Sequence, residues 1–150
     1  MEILYQIDNI EKLKKFYPAE NTEIRWLKLP DDLYSLYLFS LDRNPDIVFD
    51  EKESFELFQK WAENGCIYCA VFAGERIVAT AAVEKYSTDK WETGDVRVMR
   101  SERGKGYAKQ ICYFVTKFIL DNGFIATCRT EEDNIPMRKV INSLGFSRCG

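Results

Sequence analysis

Three runs rich in β-branched and aromatic residues follow one another at 66–72, 76–85 and 91–99, and from Gly106 the apolar period turns helical. That change of period constrains the fold more than any other feature. The segment Ala73-Gly74-Glu75 between the first two runs reads as a hairpin turn, so the three runs form an antiparallel meander. Beyond the third, Ala108, Ile111, Cys112, Val115, Phe118 and Ile119 line one face of a helix that lasts to about Asp121. Asn122-Gly123 ends it, 124–129 reads as a short apolar strand, and Asn134 caps a last helix with Pro136 in its first turn and Gly145 just past its end. An antiparallel meander followed by alternating helix and strand is an α/β (α+β) arrangement.

The first half is less regular. Residues 2–7 read as a short strand. Residues 9–17 read as a helix, with Asn9 as its N-cap and Pro18 stopping the run. A strand is expected over 22–29. Helices are expected over about 31–42 and 51–63, the second with Phe55, Phe58 and Trp61 near helical spacing. At 150 residues the chain is expected to be one domain, 1–150, able to bury roughly 70% of its unfolded surface without disulfides or a structural metal. No run approaches the ~18 apolar residues of a membrane span. The charged opening MEILYQIDNIEKLKKF reads against a secretory signal, so the cytoplasm is the expected compartment.

The chain has no histidine, which removes the commonest general base, the Ser-His-Asp triad and every His-containing zinc site. No metal is expected. The five cysteines are expected to be reduced thiols. Cys66 and Cys69 form a C-x-x-C on a strand, which sends their sulfurs to opposite faces and reads as core packing. Net charge is −3, which disfavours a globally basic nucleic-acid binder. Within 100–109, however, Arg100, Arg103, Lys105 and Lys109 against Glu102 give a local +3. A basic, glycine-bearing island in an acidic chain suits a small anion.

The island centres on Arg103-Gly104-Lys105-Gly106-Tyr107-Ala108, between a strand and the long helix. Two glycines let the backbone turn and aim several N–H groups at one point. The helix adds its unpaired N-terminal donors and the positive end of its dipole. A diphosphate fits such a cradle, although a plain strand-to-helix turn with solvated charges has the same sequence. The spacing is neither that of a Walker loop nor that of the dinucleotide G-x-G-x-x-G, whose last position is here Lys109.

Val98, five residues before Arg103, then R-G-K-G-x-A, then Asn134, then Leu144-Gly145-Phe146 together resemble the GNAT superfamily of acyl-CoA-dependent N-acyltransferases. The resemblance covers about 22–149, and residues 1–20 read as an extension beyond the family core. It implies a mixed, mostly antiparallel central sheet, splayed between the family's fourth and fifth strands, with helices on both faces. The fourth strand is here about 91–100. It further implies acetyl-CoA as co-substrate, lying in the splay. Backbone groups of Val96 and Val98 would meet the pantetheine, and the Val96 N–H could polarise the thioester carbonyl. The N–H groups of residues 103–108 would hold the pyrophosphate. Asn134 would hydrogen-bond the pantetheine arm, a role compatible with an N-cap.

An amine acceptor must lose a proton, and without histidine carboxylates are the natural bases. Glu92 lies eleven residues before Arg103, the offset of the catalytic glutamate in some members, and Asp95 is the second choice. Where many members place a tyrosine as acid for the leaving thiolate, four residues before the final glycine, this chain has Ile141. Tyr107 is expected to be too distant to substitute, and Cys128 is expected to be buried packing. The resemblance places the acceptor site on the first two helices and their connection, here Tyr34, Tyr37, Phe39, Phe49 and Phe55 with Asp46, Asp50, Glu51 and Glu53, a set suited to a cationic amine. The expected function is acetyl transfer from acetyl-CoA to a primary amine of a small molecule or peptide by direct attack, in a monomer or homodimer, with no nucleic acid or membrane as partner. The alternatives are a catalytically weak acyl-CoA-binding or sensing module, or a domain binding some other phosphate. After Gly145 only FSRCG remains, so the sheet edge there is expected to be short, or covered by residues 2–7 or by a neighbouring molecule.

Overall fold

The computed structural model describes residues 1–16 and 20–149. The strands are β1 (Glu2–Ile7), β2 (Thr22–Trp26), β3 (Cys66–Ala73), β4 (Arg76–Glu84), β5 (Lys90–Val98), β6 (Ile125–Glu131) and β7 (Ser147–Arg148). The helices are α1 (Leu33–Ser40), α2 (Glu51–Glu63), α3 (Tyr107–Asp121) and α4 (Ile135–Leu144). One sheet carries all seven strands in the order β2-β3-β4-β5-β6-β1-β7. Every neighbouring pair is antiparallel except β5 and β6, which run parallel. The predicted meander is therefore present, with boundaries within two residues of expectation.

β4 is buried on both faces along its middle, which explains its near-continuous apolar run IVATAAV. Ile111, Val115 and Ile119 of α3 are fully buried against one face of the sheet, beside Cys69, Val71 and Val83. Each such side chain contributes roughly 1.5–3 kcal/mol. On the opposite face Phe39 of α1 packs on Ala70, Phe72 and Ile77. Helices thus lie on both faces.

Three expectations need correction. The helix read over 9–17 is only a single 3-10 turn, Ile10–Lys12, with Asn9 accepting from the Glu11 N–H at 2.8 Å. Leu13 is drawn into the core, and the Lys14 N–H bonds to the Leu144 carbonyl at 3.0 Å, so docking on the end of α4 takes the donor a longer helix would have used. Pro18, expected to stop that run, lies outside the described residues. The strand read over 22–29 ends at Trp26, and α1 begins only at Leu33. Here the Asp32 carboxylate accepts from Arg25 at 2.6 and 2.9 Å and from the Lys28 N–H at 2.6 Å, which folds the intervening residues into a turn.

Residues 2–7 are not a loose appendage. β1 pairs with β6 over its whole length, from Glu2↔Glu131 to Ile7↔Ala126, and β7 pairs with its other side through Tyr5↔Arg148 and Gln6↔Ser147. β1 thus stands between β6 and β7 and covers the β6 edge, as one of the expected alternatives had it, while the C-terminal strand itself is short, two residues.

Candidate functional site

The site is built by the divergence of two strands. β5 and β6 pair only through Lys90↔Ile125, Trp91↔Ala126 and Glu92↔Thr127. Beyond Glu92 no strand among the described residues accompanies β5 on the β6 side, so the backbone of that edge opens into a cleft. β5 also changes face there. Ala82 opposes Gly94 while Thr80 opposes Arg97, so two residues, Asp95 and Val96, stand against Ala81. This is a β-bulge, and Asp95 adopts φ 48° to make it. Past the bulge Val96 and Val98 pack toward the α3 side, whereas Arg97 shares the α1–α2 side with Thr80.

A cleft of about 640 Å³ fills the opening. It gathers Val96, Val98, Arg103, Gly104, Gly106, Tyr107, Ala108 and Asn134, residues spread across a strand, a turn and two helices. Met137 and Val140 add apolar walls. Gly104 and Gly106 take φ +83° and +84°, the left-handed region that favours glycine, and a Cβ on Gly104 would meet nothing within 4 Å. Among the described residues no acceptor meets the backbone N–H groups of residues 104–109. Six unpaired donors at the mouth of a long helix, with the exposed Arg103 beside them, match a diphosphate. Asn134 accepts from the Met137 N–H at 3.2 Å as the N-cap of α4, which leaves its amide N–H₂ free to donate.

Lys105 does not line this cleft. Its Nζ bonds to the Glu102 carboxylate at 2.6 Å, and Arg76 holds the other oxygen at 2.7 Å. Of the residues expected to meet the anion, Lys105 alone has its side-chain charge directed elsewhere.

The two predicted bases stand in different surroundings. Glu92 is 15% exposed at its side chain, its Oε1 lies 3.1 Å from Arg129 Nε, and the Thr127 hydroxyl donates to it at 3.3 Å. Burial pushes its carboxyl above the ordinary range, with Arg129 opposing and Glu84 adding to the rise. Asp95 accepts from the Tyr68 hydroxyl at 2.6 Å and from Arg97 Nε at 3.0 Å. Burial and that carboxylate push the Tyr68 phenol far above its usual value, so it stays protonated.

A second cleft, of about 290 Å³, opens on the α1–α2 side and includes Asp95, Arg97, Tyr68, Phe58, Trp61 and Arg43. Phe58, Trp61 and Tyr68 pack edge-on or tilted with centroids 5.0–5.9 Å apart. The acceptor residues read from the sequence only partly meet this cleft. Phe39 lines it. Tyr34, Tyr37 and Phe49 form a separate aromatic group, and Asp46, Asp50, Glu51 and Glu53 are exposed, Asp50 serving to cap α2 by accepting from the Glu53 N–H at 3.0 Å. Phe55 does not reach the cleft.

Sequence reasoning missed Arg43, which lies in the α1–α2 connection and lines both clefts. Partial burial, together with the like charges of Arg97, Arg103 and Arg100, presses its guanidinium below the ordinary value. Nothing near it in sequence announces this role. Phe58 and Trp61 were findable, as an aromatic pair three apart on an otherwise highly charged helix. Ile141 is 1% exposed and part of the core, whereas its neighbour Val140 faces the cleft. Cys128 is 2% exposed, and burial pushes its thiol up to about 12. All five cysteines are free. A separate groove of about 430 Å³ between β2 and α3, walled by Trp26, Phe114 and Phe118, holds none of the predicted residues. Among the described residues no helix is long and apolar enough to cross a membrane.

The sequence model of the Acetyltransferase (GNAT) family matches residues 14–146. No curated protein matches the chain. Among solved structures, an acetyltransferase of the GNAT family from Novosphingobium aromaticivorans is similar at 16% identity and TM-score 0.71, over 99% of this chain and 59% of its own. Another, from Colwellia psychrerythraea, is similar at 21% identity and TM-score 0.73, over 99% of this chain and 52% of its own. This chain therefore spans little more than half the length of either. The structure of AAC(6')-Iy in complex with the bisubstrate analog CoA-S-monomethyl-acetylneamine is similar at 19% identity and TM-score 0.65, over 84% of this chain and 90% of its own. At these identities the likeness is one of fold.

Proposed function

The chain belongs to the Acetyltransferase (GNAT) family, and from that premise we propose that it transfers an acetyl group from acetyl-CoA to a primary amine of a small molecule or peptide by direct attack. The observation that carries the reading is the splay beyond Glu92↔Thr127, which opens between six unpaired N–H groups on one side and an aromatic cleft on the other. The N–H groups of residues 104–109 and Arg103 would hold the pyrophosphate. Backbone groups of Val96 and Val98 and the Asn134 amide would hold the pantetheine. Bound there, acetyl-CoA supplies an activated thioester carbonyl. The amine would enter by the cleft of Phe58, Trp61 and Tyr68, which suits the hydrocarbon of an amine and, through its π faces, its charge. Glu92 and Asp95 are the carboxylates of β5 that the family resemblance offers as proton acceptors, and burial raises the Glu92 carboxyl.

The rival reading, a catalytically weak acyl-CoA-binding or sensing module, is favoured by one observation. The position where many members carry an acidic tyrosine is Ile141, turned into the core. Calorimetry with acetyl-CoA, combined with thiol release over a panel of primary amines, separates the two. The transferase reading expects binding and release. Binding without release on a broad panel supports the module, and absence of binding sinks both.

A further inference from the structure

We propose that Glu84, at the end of β4, is the carboxylate that takes the proton from the acceptor amine. The assignment rests on the acetyltransferase reading of this site and changes which residue performs its first chemical step. Glu84 stands directly across from Glu92 in the β4–β5 ladder, on the same face of the sheet. Glu92 is held by Arg129 and Thr127, and Asp95 by Arg97 and Tyr68. Glu84 is half-buried and has no hydrogen-bond or ionic partner among the described residues. Both oxygens of Glu84 are thus open to a substrate proton, whereas Oε1 of Glu92 already carries Arg129 and Thr127.

Its position is also specific. The Glu84 side chain lies across Gly94, where a Cβ would come within 3.2 Å of Oε1 and 3.4 Å of Cδ. Gly94 is the second residue past the last β5–β6 pair, so the carboxylate leans from the closed end of the ladder toward the splay. A glycine inside a strand commonly marks such a close approach. Of the ionisable groups, Cys66 of β3 and Glu92 of β5 stand directly across from Glu84, and its charge acts on both. The Cys66 thiol, raised first by burial, is raised further by both Glu84 and Asp95, so these two carboxylates flank one point of the face.

In the step, a proton passes from the acceptor ammonium to a Glu84 oxygen. The N–H electron pair stays on nitrogen and forms the new bond to the thioester carbonyl carbon. The C–S pair leaves on sulfur, the second nitrogen proton ends on the thiolate, and Glu84 returns its proton to water. One ammonium and one acetyl thioester become one amide, one thiol and one released proton.

The test compares Glu84→Gln, Glu92→Gln and Gly94→Ala, the last of which displaces the carboxylate without removing it. Thiol release is followed with spermidine, tryptamine, lysine ethyl ester and a lysine-bearing peptide, and acetyl-CoA affinity by calorimetry. Glu84→Gln is expected to lower kcat at neutral pH roughly 100-fold, with partial recovery at high pH, while acetyl-CoA affinity stays within about twofold. Gly94→Ala is expected to lose about tenfold, and Glu92→Gln less than Glu84→Gln. Near-normal kcat in Glu84→Gln, or a larger and pH-recoverable loss in Glu92→Gln, overturns the assignment. If Glu84→Gln melts early, Gly94→Ala and Glu84→Asp decide by the same criteria. Independently of turnover, the carboxyl ¹³C signal missing in Glu84→Gln should shift when spermidine or tryptamine is added to the CoA-saturated protein. A response confined to Glu92, or none, also overturns it. Failure of the unmodified chain to bind acetyl-CoA would instead defeat the acetyltransferase reading, and this assignment with it.

Discussion

Glu102 accepts the ammonium of Lys105 at 2.6 Å from a side chain only 10% exposed, so one of the two cations of the glycine turn is engaged, and the exposed Arg103 has no side-chain partner among the described residues. The two should therefore differ as ligands for the anion. Arg103→Ala is expected to weaken acetyl-CoA binding about tenfold, ~1.4 kcal/mol. Lys105→Ala should change it by less than about twofold. Calorimetry at two salt concentrations checks this, and the Arg103 effect should shrink at high salt.

Glu102 also makes stability depend on pH in a definite direction. Hydrogen bonds from Lys105 and then Arg76 lower its pKa below the ordinary carboxylate value. A depressed carboxyl pKa contributes stability above the unfolded value and loses it as pH falls through the folded value. The difference in melting temperature between the unmodified chain and Glu102→Gln should be present at neutral pH and shrink as the pH falls below the ordinary carboxylate range. A difference that persisted unchanged in acid would mean packing, not ionisation, is what Glu102 contributes.

Gly106 holds φ +84° at the mouth of α3. Gly106→Val should cost roughly 1–2 kcal/mol in backbone strain and leave the fold intact. It should weaken acetyl-CoA binding at least tenfold, about 1.4 kcal/mol, by turning the adjacent N–H groups away. A folded variant with unchanged affinity would put the co-substrate elsewhere.

Ile141 is 1% exposed among the core residues of α4, so the larger ring of Ile141→Tyr has no cleft to enter. The variant should lose ~1–3 kcal/mol of stability by overpacking and gain no rate. Melting temperature and thiol release on the same preparation give both numbers. A stable, faster variant would show that the helix can rotate the position into the splay.

Burial pushes the Cys69 and Cys128 thiols up to about 12 and the Cys112 thiol well above its ordinary value. Thiolate is the reactive form, so alkylation of the native protein near pH 8 should mark Cys149 and Cys66, both partly exposed, long before these three. Mass spectrometry of the labelled peptides, with a denatured control, decides it.

Where a segment's own period matched its tertiary use, the sequence was sufficient. α2 runs over Glu51–Glu63 as its aromatic spacing implied, and the turn at 103–108 faces a cleft together with Asn134, which caps α4 across β6. What could not be read were choices made by distant partners. Lys14 gives its N–H to Leu144 instead of extending a helix, and Asp32 is claimed by Arg25. The bulge at Asp95 is announced only by Gly94 before it, a signal that does not fix its position, yet it decides that Asp95 and Glu92 share a face despite their odd separation. Glu84 looked like ordinary strand alternation, because its distinguishing contact, Gly94, lies on another strand.

β1 has a consequence for how the molecule is made. Its partners run from Ala126 to Glu131, so β1 finds its ladder only after the meander and α3 that separate the two strands have been synthesised. Closing so long a loop costs entropy that grows only as the logarithm of its length, but such distant pairings are slow to form. Until β6 exists, EILYQI is an unpaired strand-forming segment ahead of a half-made domain. On the ribosome, β1 would thus wait for a partner until the meander and α3 have followed it, and whatever accompanies the nascent chain must keep it apart from other chains until then.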